Sequence, residues 1–291
     1  MIEARYVEID GALGFVEIVT PDHPATAEAL PTVLCIHTAG QSGVQWRHVA
    51  SALSDRGYRV LVPDLPGHGR SEPAVTGAIT DLVDYGDWLI ALLSVLDVQR
   101  PLVLGCSIGG KLTLELATRP DFPLAGAIAM EAQAAPGKVN VTGLRRELED
   151  VAGPARADRT YLGTLASIGH SVSPAAAHRI ALMHKREDPE ISSSDLIGWG
   201  THDVGDRLGA LTCPLHLVCG LDDPWIDPRA VERLAADINA ADPGRARFTG
   251  LPGIGHYPME EIDDFAALAD GWLMELRNAA APAAARSEVT A

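Results

Sequence analysis

The chain has 291 residues, 47% of them hydrophobic, and a formal net charge of −16. That length supports one sizeable core, or a core carrying an insertion. With no basic block in so acidic a chain, nucleic acid and anionic membrane surfaces are excluded as expected partners. The longest charge-free apolar runs, residues 88–96 and 122–130, are too short to cross a bilayer. Met1-Ile2-Glu3-Ala4-Arg5 lacks the basic-then-apolar order of a secretion signal. The four cysteines, Cys35, Cys106, Cys213 and Cys219, form no C-x-x-C pair. They are expected to be reduced and buried, in a cytoplasmic protein.

Residues 3–9 and 13–19 alternate apolar and polar around Asp10-Gly11, which predicts a β-hairpin at a sheet edge. Residues 32–37 read as a buried strand. The loop from His37 to Gly43 follows, then a helix over about 46–56. A strand at 58–62 leads into Asp64-Leu65-Pro66-Gly67-His68-Gly69-Arg70-Ser71. A helix over about 81–96 follows, with Thr80 as its expected N-cap. Residues 101–105 are the next strand, and a helical pattern runs to about Ala117. The strand 124–130 ends at Glu131.

After Glu131 the alternation stops. Residues 136–208 contain helical patterns and no convincing strand. Ser173-Pro174 reads as an N-cap followed by proline at the first helical position. The stretch is too long for a plain loop and is expected to be an inserted helical cap. Strand character returns at 214–219, Asp227-Pro228 opens another helix, 245–249 is a last strand, and a helix over about 260–276 closes the chain. The expected organisation is a core of residues 1–135 and 209–278, a cap of 136–208 and a disordered tail of 279–291. Strands alternating with helices imply a mostly parallel sheet covered on both faces, with its site beyond the strands' carboxyl ends.

The chemistry centres on Gly105-Cys106-Ser107-Ile108-Gly109, between a strand and a helix. G-x-S-x-G is the spacing of a nucleophile elbow, a strained turn whose flanking glycines let strand and helix nearly touch. A serine hydroxyl needs a base, and His256 follows the last strand at the same sheet end. His202-Asp203 with Asp206 lacks a third strong ligand at fitting spacing, so no metal is expected.

The chain resembles the α/β-hydrolases over nearly its whole length. The likeness is carried, in order, by His37-Thr38-Ala39-Gly40, the 64–71 turn, the Ser107 elbow, Gly220-Leu221-Asp222-Asp223 and Gly255-His256. The order serine, acid, histidine is the one that family uses. The resemblance implies an α/β fold with a mostly parallel eight-stranded sheet. It implies Ser107 as nucleophile, His256 as base and Asp223 as acid. Glu131 stays open as the acid, because some relatives carry it after the strand that follows the elbow strand. If Asp223 is the acid, Glu131 is expected to line the pocket or to bond to a cap residue. The oxyanion hole is expected from the Ala39 and Ile108 N–H groups. The family commonly has glycine where this chain has Thr38, and a β-branched residue resists positive φ. Ser42 or Gln41, with Trp199, Trp225 and Tyr257, are further candidates for the pocket wall.

Three functions are compatible with this reading. The first is a cofactor-independent serine hydrolase of a small-molecule ester, lactone or thioester. The second is hydrolysis of a carbon–carbon bond in a ring-cleavage product. The third is a ligand-binding receptor on a hydrolase fold, against which the intact triad counts. Ser in place of Asp at the elbow argues against dehalogenase and epoxide hydrolase chemistry. A homodimer stays open.

Overall fold

The computed structural model describes residues 1–22, 30–149 and 156–280. Its strands are β1 (Ile2–Ile9), β2 (Ala12–Val19), β3 (Thr32–Ile36), β4 (Arg59–Asp64), β5 (Leu102–Cys106), β6 (Gly126–Met130), β7 (Leu215–Gly220) and β8 (Ala246–Leu251). Its α-helices are α1 (Val49–Asp55), α2 (Leu82–Val95), α3 (Ile108–Ala117), α4 (Val141–Glu149), α5 (Arg156–Ser167), α6 (Pro174–His184), α7 (Pro189–Thr201), α8 (Pro228–Ala241), α9 (Pro258–Glu261) and α10 (Phe265–Ala280).

The strands form one eight-stranded sheet in the order β1-β2-β4-β3-β5-β6-β7-β8. β1 and β2 pair antiparallel, as do β2 and β4, and the pairings from β4 to β8 are parallel. Asp10 and Gly11 both have positive φ, as the two-residue turn of the β1–β2 hairpin demands. Central strands are buried on both faces, and their alternation splits the core in two. Val103 of β5 and Ala127 and Ala129 of β6 join the layer built with α2, α3 and α8. Leu102, Leu104, Ile128 and Met130 join the layer built with α1 and α10. Helices α4 to α7 intervene between β6 and β7 with no strand among their described residues.

Local details differ from expectation. The N-cap of α2 is Asp81, not Thr80: its carboxylate accepts the Val83 N–H at 2.9 Å, a bond Asp makes at least as well as Thr. The helix expected at 46–56 is a 3₁₀ turn, Gly43–Trp46, followed by the short α1. The helix expected at 260–276 is two helices. Ile262 is extended, and Asp264 restarts the backbone by accepting the Ala267 N–H at 3.1 Å. Residues 279 and 280, expected in the tail, belong to α10, while 281–291 lie outside the described residues. All four cysteines are free and buried. No helix among the described residues is long and apolar enough to cross a membrane.

Candidate active site

Ser107 links β5 to α3 with φ 59° and ψ −116°, a conformation non-glycine residues hold only under constraint. The constraint is close packing. A Cβ on Gly105 would stand 2.1 Å from the Gly109 carbonyl oxygen, and one on Gly109 would stand 2.4 Å from that of Ile36. The Ser107 N–H donates to the Met130 carbonyl at 3.0 Å, which ties the elbow to β6.

His256 stands after β8, and its loop is pinned from several sides. Its N–H donates to the Ser167 carbonyl at 2.8 Å. The Glu261 carboxylate accepts the N–H groups of both flanking residues, Gly255 at 2.7 Å and Tyr257 at 2.9 Å, and that of Gly169 at 2.9 Å. The His256 Nδ1 lies 2.7 Å from Asp223 Oδ2. A carboxylate can only accept there, which assigns the proton to Nδ1 and leaves Nε2 as the basic nitrogen. Burial alone would raise the Asp223 carboxyl, but the His256 charge and hydrogen bond outweigh it and hold the group below the usual carboxylate range.

Glu131 is not in the pocket. It follows β6 with φ 48° and is fully buried behind Asp223. Its Oε1 accepts the Gly220 N–H at 2.6 Å and its Oε2 accepts the Cys219 S–H at 3.2 Å. Burial, then the charge of Asp223 and a hydrogen bond to it, push the Glu131 carboxyl well up. Two facing carboxyl groups need a shared proton, which falls to Glu131, the one that burial and the neighbouring charge push up, as donor to Asp223. The left-handed turn after Met130 aims the side chain along β7 instead of outward.

The loop from His37 to Gly43 resolves the Thr38 question. Thr38 is not left-handed; the positive φ falls on Gly40, at 66°. The Thr38 N–H donates to Gln45 Oε1 at 2.9 Å, and Gln45 Nε2 donates to Glu260 at 3.0 Å. Among the described residues neither the Ala39 nor the Ile108 N–H has a hydrogen-bond partner. Ile108 opens α3, where a free N–H is ordinary for a helix start and the helix dipole favours an anion. His37 braces the loop from behind: Nδ1–H donates to the Thr38 carbonyl at 2.9 Å, and Nε2 accepts the Leu65 N–H at 3.0 Å.

Ser107 and His256 line one cavity of about 550 Å³. Ala39, Trp199, Tyr257 and Trp225 join them in its wall, as does His184 of α6. Trp225 donates its indole N–H to Ser167 Oγ at 2.7 Å. Ser42 does not reach this cavity. The turn at Gly40 leaves Gln41 facing it and carries Ser42 into a separate hollow behind the loop. Among the described residues His202, Asp203 and Asp206 form no cluster, and the one grouping with metal-ligand spacing is Glu131, Asp223 and His256, whose carboxyl groups already accept from Gly220, Cys219 and Trp225 and from His256 itself. Gln45, His184, Asp195, Glu260 and Glu261 have no motif that marks them in the sequence; His184, Asp195 and Glu260 reach the site through contacts distant along the chain, and Gln45 and Glu261 through backbone N–H groups four to seven residues away.

Comparison with known proteins adds the lineage. A model described as the alpha/beta hydrolase family matches residues 33–270. The chain is 28% identical over 250 residues, 81% of its length and 84% of the other's, to the 2-hydroxy-6-oxononadienedioate/2-hydroxy-6-oxononatrienedioate hydrolase of Cupriavidus pinatubonensis. It spans much less of other curated relatives, 25% of the length of an uncharacterized Mycobacterium tuberculosis protein that is 36% identical over 87 residues. Its fold is similar to that of the enol-lactonase from Burkholderia xenovorans LB400, with a TM-score of 0.77, 20% identity, and coverage of 93% of this chain and 100% of that one. It is equally similar to a thermophilic esterase from Thermogutta terrifontis, with a TM-score of 0.77, 23% identity, and coverage of 94% and 99%. The chain belongs to the alpha/beta hydrolase family.

Proposed function

We propose that the protein is a cofactor-independent serine hydrolase that opens an ester, lactone or thioester of a small molecule. The observation that carries this reading is that Ser107, at a strained elbow, shares a cavity with a histidine whose Nδ1–H is bound to a buried carboxylate. Ser107 Oγ attacks the substrate carbonyl carbon while His256 Nε2 takes its proton. The oxyanion that forms is met by the Ala39 and Ile108 N–H groups. Asp223 stays ionised and stabilises the imidazolium. His256 then gives the proton to the leaving oxygen or sulfur, the C–O or C–S bond breaks, and an acyl-Ser107 remains. A water, deprotonated by the same nitrogen, hydrolyses it and restores the serine. The helical insertion acts as a cap that shapes the apolar part of the cavity, at Val139, Leu144, Leu196 and Trp199.

A second reading, hydrolysis of a carbon–carbon bond in a vinylogous diketone, is favoured by the likeness to the Cupriavidus hydrolase over most of both chains. It uses the same three residues. The test compares p-nitrophenyl esters, lactones and vinylogous diketones as substrates of the wild type and Ser107→Ala. The variant loses only a hydroxyl and is expected to fold and to lose turnover of whichever substrate the wild type accepts. Substantial activity in folded Ser107→Ala would remove the nucleophile assignment.

A further inference from the structure

The oxyanion loop is held by the insertion as well as by the core. Asp195, on α7, is fully buried, and three donors converge on its carboxylate. Gly40 N–H reaches Oδ2 at 2.7 Å, His68 Nε2 reaches Oδ2 at 2.8 Å, and Tyr85 O–H reaches Oδ1 at 2.8 Å. Gly40 directly follows Ala39. Its glycine is required twice over, by positive φ and by the insertion itself. A Cβ there would stand 2.7 Å from Glu187 Oε2 and 2.8 Å from Ser192 Cβ.

Peptide planarity turns these bonds into an aiming device. The C=O and N–H of one trans peptide point in opposite directions. The Thr38 carbonyl is fixed by His37 Nδ1–H at 2.9 Å and by the Gln41 N–H at 3.2 Å, which sets the direction of the Ala39 N–H. The next peptide, between Ala39 and Gly40, is fixed by Asp195. Both peptide planes flanking the Ala39 Cα are therefore pinned, one by the core and one by α7.

The charge arrangement supports the same role. His68 Nδ1 faces the Pro66 carbonyl at 3.0 Å while Nε2 faces Asp195. Two acceptors at the two ring nitrogens call for an imidazolium. Burial pulls the His68 pKa down, but the Asp195 charge and hydrogen bond outweigh it and raise the pKa overall. The neighbouring His37 ring, centred 4.7 Å away, is held neutral: burial first, then His68, bring it down to about 4. The Asp195 carboxylate thus cancels the cation nearest the loop while gripping the loop's backbone.

We propose that Asp195 is a positioning residue for the oxyanion hole, through which the helical insertion fixes the peptide after Ala39 and so keeps in place the Ala39 N–H that the core aims. The inference rests on the serine-hydrolase reading above. It goes further in giving the insertion a share in the chemistry.

The experiment compares the wild type with Asp195→Asn, using p-nitrophenyl butyrate, an alkyl trifluoromethyl ketone and active-site titration with a fluorophosphonate. The ketone adds to the serine and places an oxyanion in the hole. Per titrated site, kcat is expected to fall about 10-fold to 100-fold, less than the loss of a whole oxyanion donor, with KM within about threefold. The Ki of the trifluoromethyl ketone is expected to rise by the same factor as kcat falls. Unchanged kcat and Ki in a protein with a full count of sites would overturn the proposal. So would a rise in KM alone, which would make Asp195 a cavity-shaping residue. If Asp195→Asn does not fold, Tyr85→Phe removes one of the three bonds and leaves Gly40 held. It should show the same parallel shift at about twofold to fivefold, and no shift would overturn the proposal. A wild type that reacts with neither fluorophosphonate nor ketone would reject the serine-hydrolase reading itself, a result visible before any variant is made.

Discussion

Two carboxyl groups stand beside one imidazole, and their environments divide the work. Asp223 is held ionised against His256, whereas Glu131 is held as the neutral acid behind it, accepting from Gly220 N–H and donating to Asp223. Asp223→Asn should therefore lower kcat by about 10⁴, the cost of losing the carboxylate that fixes the tautomer and stabilises the imidazolium. Glu131→Gln should cost far less. A glutamine keeps an acceptor for Gly220 and a donor for Asp223, and replacing a neutral acid removes no charge. The acid limb of the kcat/KM profile should therefore stay in place in Glu131→Gln. Kinetics of both variants across pH 5–9 check this. A limb moved to lower pH would mean that Glu131 is ionised in the free enzyme, and a reversal of the two losses would make Glu131 the triad acid.

Helix α7 carries both a strut and a wall. Asp195 accepts the Gly40 N–H of the loop after β3, and Trp199, four residues on, lines the cavity while 3% exposed. Gly137 packs against the indole so closely that a Cβ there would stand 2.1 Å from its ring. Trp199→Ala should lower kcat/KM for bulky esters several-fold more than for an acetate ester, since the acetate does not reach the wall. Comparing the two esters in both proteins tests this, and an equal loss would leave Trp199 a packing residue only. The same helix shows what a chain can and cannot disclose. The starts of α6 and α8, Ser173-Pro174 and Asp227-Pro228, obey local capping rules, and the elbow and the histidine loop lie in short motifs at fixed sheet positions. Those pieces were legible. Asp195 meets Gly40 across 155 positions, and Glu261 cradles His256 through backbone N–H groups that no side-chain pattern advertises. Ser42 and Glu131 were misplaced because one left-handed residue before each, or at it, re-aims the side chain. The stop between α9 and α10 hangs on a single extended residue, Ile262, inside a run that is otherwise helical in composition.

Over the whole molecule, the insertion is joined to the core at both of its ends by one buried lysine. Lys111, on α3 directly below the elbow, is fully buried and donates to the Ala135 carbonyl at 2.7 Å and the His202 carbonyl at 3.0 Å. These are the points where the chain leaves the sheet after β6 and comes back from α7. Burial brings the Lys111 pKa down to about 8 from 10.5, with Asp203 opposing in part. The folded state therefore disfavours the ammonium form. Below pH 8 both states are protonated and the full penalty applies. Between pH 8 and 10.5 the unfolded chain binds more protons at this site, so its contribution to stability rises with pH; above 10.5 the penalty is gone. The neutral amine still has two hydrogens for the two carbonyls, so the brace survives deprotonation. Lys111→Met keeps the stem's volume and removes the titration, at a pH-independent cost in lost bonds. The stability of the wild type minus that of Lys111→Met should thus grow from pH 8 to pH 10 by on the order of 1–3 kcal/mol, up to about 1.4 kcal/mol per unit. Urea unfolding of both proteins at pH 7, 8, 9 and 10 measures that difference, in which the titrations common to both cancel. A flat difference would mean that the two carbonyls hold Lys111 as a full ammonium in the folded protein, and that the brace between sheet and insertion is ionic throughout this range.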